Sequence, residues 1–435
     1  MQKKFLLFIC SLCVAVTVWP AVSCANGKTA VVASVTADKA FEYAPAVPDA
    51  VNNYQQEPMG GKSALDYLKS EKISAGLNTG NTLDAWSGKT DQNGKLAFFE
   101  SGESVSWGNP WLNQELFNGV KAAGFSIVRI PTTWMGHIGP APDFHIDEAF
   151  LKRVAEVIGY AKNAGLKVII NLHHDGATDS KKGDQGWLAV RQASRNQDEF
   201  NRVTSQYVRV WKQIANYFKN YGNWLIFESF NEPHDGSWGS GGQIGQYITI
   251  TKWNQFFVDT VRSTGGNNES RYLMIAAYCN DRAQLLSAGF MLPNDKASGK
   301  LILSFHYYDP YEFGIQGSRS SWGTPADKQK TENDFAPLKE KFIDKNIPVI
   351  MGECGAALQL YPDDPAKEQQ ARQSRREYLQ YVFGAAKKYG LVPIYWDNGS
   401  VRGNGEKFGL FDRLSGKPNS PESDNLIKLM ISAVK

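Results

Sequence analysis

The sequence predicts an α/β fold, a closed (β/α)8 TIM barrel, and three observations carry that prediction. From Ile73 onward, short apolar runs of strand character alternate with longer segments of helical period. Helical segments end at glycine just before a buried run, as in "KAAGFSIVRIP" and "AKNAGLKVIINLHH", where Gly124 and Gly165 supply the turn that closes a helix. Polar side chains with chemical potential gather at the C-terminal ends of the runs, which in a barrel is the functional face.

Strands are expected at 73–78 (ISAGLN), 126–130 (SIVRI), 167–173 (KVIINLH), 224–231 (WLIFESFN), 272–278 (YLMIAAY), 301–307 (LILSFHY), 348–353 (PVIMGE) and 391–396 (LVPIYW). Such short, nearly continuous apolar runs suit parallel strands buried on both faces. Helices are expected between most of them, at 111–123, 147–164, 198–220, 246–264, 334–345 and 367–389, with a last one at 424–434. Eight β/α units in one chain point to a closed barrel. An open doubly wound sheet is the alternative, and it would ordinarily carry a glycine-rich phosphate-binding turn, of which the sequence shows no sign.

Hydrophobic residues make up 42% of the 435 positions and charged ones 21%, enough apolar material for a sizeable core and too little charge for a disordered chain. The 47 basic and 44 acidic residues are spread along the chain and leave a net charge of +3, so no footprint for nucleic acid or an anionic membrane stands out. A neutral partner fits better. The 12 Trp and 18 Tyr suit both an aromatic core and stacking on sugar rings.

Residues 1–24 read as an export signal: Lys3 and Lys4 form the charged region, and Phe5 to Trp19 supply an apolar stretch too short for a comfortable membrane span. Its end, Ala21-Val22-Ser23-Cys24, resembles a bacterial lipoprotein box in which Cys24 is lipidated; the alternative is ordinary cleavage after a small residue such as Ser23. The chain is therefore expected outside the cytoplasm, as an outer-membrane or cell-surface lipoprotein or a secreted protein, meeting a membrane only through a lipid on Cys24. Residues 25–61, with "EYAPAVPDAV" and "EPMGG", read as a tether, and 62–435 as one barrel domain without sequence repeats. Three of the five cysteines fall in the signal, leaving Cys279 and Cys354, expected as free buried thiols on strands that are not neighbours.

Arg129, His173, Asn231, Glu232, His306, Glu353 and Trp396 each lie at or just beyond the end of a strand. Any one of them alone reads as a satisfied structural residue; together they mark a site. Glu232 and Glu353 matter most. Hydrolysis of an acetal needs one carboxyl to protonate the departing oxygen and another to meet the developing oxocarbenium centre. Glu232 ends the fourth strand and Glu353 the seventh, which face each other across a barrel mouth. Carboxyls about 5–5.5 Å apart imply retention through a covalent intermediate, and about 6.5–9.5 Å implies inversion. His173-His174-Asp175 also raises a metal site. Adjacent residues on a strand face opposite ways, however, and no second metal-type cluster appears, so no metal and no cofactor are expected, and His174 reads as a second sugar contact.

At these residues the sequence resembles a known family. "FESFNEP" (227–233) and "VIMGE" (349–353) are similar to the acid/base and nucleophile motifs of glycoside hydrolase family 5, and "GFSIVRIPTTW" (124–134), "NLHHD" (171–175), "HYYDPYEF" (306–313) and "YWDNG" (395–399) follow in the family's order. With "GLNTGNTLDAW" (76–86), the pattern looks most like the bacterial endoglucanase branch, subfamily 4. The resemblance implies that Glu232 is the acid/base and Glu353 the nucleophile, that Arg129 keeps Glu353 ionised, and that Tyr308 donates a hydrogen bond to it. By the same resemblance Asn231 holds the sugar 2-hydroxyl, His173 and His306 orient the cleaved residue, and Trp396 forms the floor beneath it. The implied activity is a retaining endo-β-1,4-glucanase, expected to act as a monomer on a β-glucan: cellulose, mixed-linkage glucan or xyloglucan. Xylanase and mannanase of the same family are the alternatives within the enzyme class, and a non-catalytic surface glycan-binding protein the alternative outside it. Glu228, four residues deeper in its strand, reads as a hydrogen-bond partner inside the barrel.

Overall fold

In a computed structural model the eight apolar runs pair edge to edge into a closed parallel barrel; the structure describes residues 45–90, 96–176, 186–239, 241–403 and 405–435. The export signal and residues 25–44 lie outside the described residues. Ten strands are present among those described: β1 (Gly76–Thr79), β2 (Trp86–Thr90), β3 (Leu96–Ser101), β4 (Ile127–Ile130), β5 (Lys167–Ile170), β6 (Leu225–Glu228), β7 (Leu273–Ala276), β8 (Leu301–Tyr307), β9 (Val349–Cys354) and β10 (Val392–Asp397). The barrel runs from β4 through β10 in sequence order and closes by β1 pairing with both β10 and β4. The remaining pair, β2 and β3, forms an antiparallel hairpin in the loop after β1, an element with no counterpart in the sequence reading.

The principal helices of the outer ring are α1 (Ala64–Ser70), α2 (Gln114–Ala122), α3 (Glu148–Asn163), α4 (Val190–Ala193), α5 (Gln197–Tyr217), α6 (Ile244–Ser263), α7 (Arg282–Leu286), α8 (Pro325–Lys341), α9 (Pro365–Tyr389) and α10 (Pro421–Val434). Local chemistry fixes their starts. Asn113 and Asn196 cap α2 and α5 by accepting first-turn N–H groups, and α9 opens with Asp364 accepting from Lys367 and Pro365 at its first position. α8 begins nine residues earlier than the expected 334, because Thr324 and Asp327 cap each other's backbone and Pro325 follows at the first position.

Register stacks the inward side chains in layers. Gly76 is level with Ile127 and Ile394, and two residues further along Asn78 is level with Arg129 and Trp396. The lower layer is apolar: Ile127, Ile169, Ile226, Met274, Ile302, Ile350 and Ile394 belong to one cluster with Tyr67, Leu68 and Ile73, which α1 and the following turn press across the base. Gly76 is required there, since a Cβ would come within 2.7 Å of Ile127 Cγ2 and 2.8 Å of its carbonyl oxygen. A larger core fills the space between barrel and helices.

Residues 45–61, within the stretch expected as a tether, make side-chain contacts with the barrel's outer helices and loops. Asp49 pairs with Arg209, Tyr54 stacks on Tyr221 with ring centroids 3.9 Å apart, and Glu57 accepts from the Gly222 amide and the Trp224 indole while pairing with Lys162. Aromatic stacking and charge-assisted hydrogen bonds hold a segment whose composition forms no helix or strand of its own. Cys279 and Cys354 are both buried and unpaired.

Candidate active site

Two residues above the apolar layer, the same strands present a buried polar layer, and Arg129 is its hub. It is wholly buried on β4. Its Nε donates to Glu228 at 2.6 Å, one terminal nitrogen donates to Glu353 at 2.8 Å and to Asn78 at 3.1 Å, and the other donates to Asn231 at 2.7 Å. Burial alone would lower the guanidinium pKa; Glu228 and Glu353 outweigh it and hold it above its usual value. Glu228 is held in turn by Asn171 at 3.1 Å and the Ser304 hydroxyl at 2.9 Å. A fully buried carboxylate with one cation donating through Nε and two further donors is an ion pair paired well enough to be tolerated.

The seven residues expected at the site besides His174 and Trp396 thus converge, and these two join them. Glu353 is the last residue but one of β9, with Tyr308 donating to its second oxygen at 2.8 Å. Burial raises the Tyr308 hydroxyl well above its ordinary value, with Glu353 and Glu232 adding to it, so the phenol stays a donor. His306 on β8 places Nδ1 2.6 Å from Glu232 and 3.5 Å from Glu353, between the two carboxyls. Burial lowers His306 to about 4, leaving it neutral at pH 7. An oxygen of Glu232 and an oxygen of Glu353 lie within 4.8 Å of one another, on the short side of the two separations considered above.

Burial raises Glu232 to about 7, with Arg129 opposing and Glu228 adding. Glu353 departs from the expectation that Arg129 would pull it down: burial raises it, against His306, Arg129 and Tyr308, with Glu232 adding. The loss of water outweighs one adjacent cation when that cation also serves Glu228. What separates the two carboxyls is that Arg129 and Tyr308 both donate to Glu353, whereas Glu232 receives neither of these donors.

Trp396 lies almost parallel to His173, with centroids 5.8 Å apart and planes 4° from one another. Gly80 makes its position possible, because a Cβ there would meet the indole at 2.6 Å. His173 is buried and neutral, its Nδ1 3.2 Å from the Asn171 amide nitrogen. His174 does not face away from it: β5 ends at Ile170, the strand alternation has lapsed by this point, and the two rings meet edge to face at 4.4 Å. Asp175 is elsewhere, accepting from the Trp134 and Met135 amides and the Trp187 indole. The carboxylate near His174 is Asp84, at 3.9 Å.

Asp84, His173 and His174 form one set of three donor atoms within 4.8 Å, and Glu232, His306 and Glu353 another. Both are engaged with protein partners. Asp84 accepts from the Asn81 and Thr82 amides, and Glu353 from Arg129 and Tyr308, an arrangement that suits hydrogen bonding rather than ligation.

Two adjoining cavities of about 390 and 940 Å³ open over this layer and share Trp107, His173, His174, Asn231, Glu232 and Trp238 along their border. The smaller extends to Trp86 and Leu188, the larger past Glu353 and Trp396 to Tyr311, Arg402 and Glu406. The two carboxyls therefore sit part-way along a groove with aromatic side chains to both sides.

A family model, "Cellulase (glycosyl hydrolase family 5)", matches residues 90–401, which include the ends of seven barrel strands and both carboxyls. The chain belongs to glycosyl hydrolase family 5. Among family relatives, endoglucanase A of Paenibacillus barcinonensis is 34% identical over 84% of this chain and 89% of its own. A xyloglucan-specific endo-β-1,4-glucanase of Bacteroides ovatus is 36% identical over 81% and 68%. In solved form, a GH5-4 broad-specificity endoglucanase of Bacteroides salanitronis superposes with a TM-score of 0.75 at 38% identity, covering 88% of this chain and 98% of the other. The family barrel and glycoside hydrolase class expected from the motifs are both present.

Sequence reasoning passed over Asn78, Asn171, Ser304 and Asn280, which complete the polar layer. A signal for two of them, Asn171 and Ser304, was available. β4, β5, β6 and β8 each carry Ile, any residue, then a polar one: Ile127-x-Arg129, Ile169-x-Asn171, Ile226-x-Glu228 and Ile302-x-Ser304. Inward parity makes that repeat an apolar layer surmounted by a polar one.

Proposed function

We propose that the chain cuts β-1,4-glucan backbones internally by double displacement, with Glu353 as nucleophile and Glu232 as acid/base. The observation that carries this is the close approach of the two carboxyls, one of them held by Arg129 and Tyr308 and the other protonated up to about pH 7. In the first step a Glu353 oxygen bonds to the anomeric carbon as the glycosidic C–O bond breaks and the Glu232 proton passes to the leaving oxygen. In the second, Glu232 takes a proton from water, the water oxygen bonds to the anomeric carbon, and Glu353 leaves with retained configuration. Asn231 accepts from Arg129 through its carbonyl, which leaves its NH2 to donate to the sugar 2-hydroxyl. Tyr308 and Arg129 absorb the charge that returns to Glu353 when the ester breaks.

The substrate class is a neutral polymer lying along an open groove. Relatives described as endoglucanases, as broad-specificity and as xyloglucan-specific support cellulose, mixed-linkage glucan and xyloglucan together. A preference for xyloglucan is the second reading, favoured by the 36% identity to the xyloglucan-specific relative. The protein works as a monomer, exported through residues 1–24 and anchored by a lipid on Cys24, which labelling with a radioactive fatty acid would detect.

A 2-deoxy-2-fluoro cellobioside with an activated leaving group should trap an ester on Glu353, found by peptide mass spectrometry. A label on another residue overturns the assignment, and cleavage of mannan alone overturns the substrate class. Loss of hydrolysis in Glu353→Ala with glucan binding retained separates an enzyme from a glycan-binding protein.

A further inference from the structure

Glu232 stands in a backbone conformation that its residue type rarely adopts, with φ at +31°. Something must hold it there. Its own N–H donates to the side-chain carbonyl of Asn280 at 2.8 Å. On one side the preceding Asn231 N–H donates to Leu172 O at 2.7 Å, and on the other the Cys279 N–H donates to Pro233 O at 3.1 Å. The turn that carries Asn280 is itself left-handed at two successive residues, Cys279 at +55° and Asn280 at +48°. The acid/base loop is thus slung between the ends of β5 and β7, and among the described residues the side chain bonded to the Glu232 backbone is wholly buried Asn280.

The Asn280 amide is oriented by its other end. Its NH2 donates to the Ser304 hydroxyl at 3.0 Å, and that hydroxyl donates to Glu228 at 2.9 Å. Glu228 binds Arg129, and Arg129 binds Glu353. The amide of the acid/base and the carboxylate of the nucleophile are therefore joined by one unbroken chain of hydrogen bonds through the barrel interior.

We propose that Asn280 is a positioning residue for the acid/base: it holds the Glu232 main chain in its left-handed conformation and, through Ser304, Glu228 and Arg129, fixes Glu232 in register with Glu353. This rests on the assignment of Glu232 as acid/base. Asn280 need not touch substrate. Its loss lets the chain at Glu232 relax toward ordinary φ and swings the carboxyl off the glycosidic oxygen, while Arg129 and Tyr308 keep the nucleophile in place.

The test is leaving-group dependence. Unactivated glucan needs the proton from Glu232, whereas 2,4-dinitrophenolate departs from a cellobioside without one. In Asn280→Ala, kcat/KM on barley glucan should fall about 100-fold, the lower end of what general acid catalysis supplies, and on the dinitrophenyl cellobioside several-fold at most. Sodium azide should then speed turnover of the dinitrophenyl substrate and give a β-glycosyl azide, because attack by azide needs no general base. Asn280→Asp keeps an acceptor for the amide and should return the ratio of the two rates toward wild type. If Asn280→Ala yields no folded protein, Asn280→Ser, too short to reach the amide, replaces it.

Equal losses on both substrates, or no loss on either, overturn the proposal. Glu232→Ala is measured beside it. If that variant also loses both activities equally, the acid/base assignment has failed; if it shows the selective loss and azide rescue while Asn280→Ala does not, only the positioning role has failed.

Discussion

The base and the mouth of the barrel are built on the same eight strands, two residues apart, and by opposite physics. At the base, Ile127, Ile169, Ile226, Ile302, Ile350 and Ile394 meet without a polar atom among their side chains, and α1 seals them. At the mouth, Arg129, Glu228 and Glu353 are buried and bonded to one another and to Asn171, Ser304 and Tyr308. The base draws its stability from apolar area removed from water. The mouth gains geometry: each of its groups has its orientation fixed by the next, so the reacting carboxyls are held before substrate arrives.

The largest separation of the two regions comes from Arg129→Leu. It leaves Glu228 buried without its cation and should cost about 3–5 kcal/mol of stability together with nearly all activity. In Arg129→Leu/Glu228→Leu, urea unfolding should recover most of that stability while hydrolysis stays lost; recovery of hydrolysis would deny Arg129 its part in the chemistry. Next in size, Ile302→Ala at the base should cost about 2–4 kcal/mol by cavity formation, with kcat/KM at 25 °C within about twofold of wild type. A changed pH profile in that variant would show that the two layers are not independent.

A pH series sharpens the contrast further. The Glu232 carboxyl is raised to about 7, and the form that donates is the protonated one. Raising the pH through that value removes the proton, so kcat/KM should fall about tenfold per unit on the alkaline side, about 1.4 kcal/mol each. Glu232→Gln, assayed on a dinitrophenyl cellobioside whose leaving group needs no proton, should lack this limb. The smallest effect belongs to the docked segment: Glu57→Ala deprives the Gly222 amide and the Trp224 indole of their acceptor and should cost about 1–2 kcal/mol without changing the kinetic constants.

The strands were legible because a strand buried on both faces is a continuous apolar run whose ends helices and glycines mark. Their ends were less so. "KVIINLH" reads through to His173, yet pairing stops at Ile170, where Asn171 turns its side-chain carbonyl to the Thr132 amide. The hairpin of β2 and β3 carries Gly88 and Lys89 in one strand and shows no alternation, and α8 opens on charged residues, so periodicity finds neither the hairpin nor the start of that helix. The docking of residues 45–61 depends on partners such as Tyr221, more than 160 positions away, and nothing local announces it. Glu232 and Glu353, which the structure brings together, stand in motifs that single them out; Asn280 stands in none, because the group it binds is the backbone of another residue.

The double coordination of Arg129 has a use outside hydrolysis. In Glu353→Gly the guanidinium keeps Glu228 as counter-charge and Asn78 and Asn231 as acceptors, so removing the nucleophile strands no buried cation. On the roles proposed above, such a variant should keep a formed groove and a placed acid/base with no means of making the covalent ester. On the same roles, an α-cellobiosyl fluoride, whose leaving group occupies the vacated side, should let this variant lengthen sugar chains that then escape cleavage, which chromatography of the products would show.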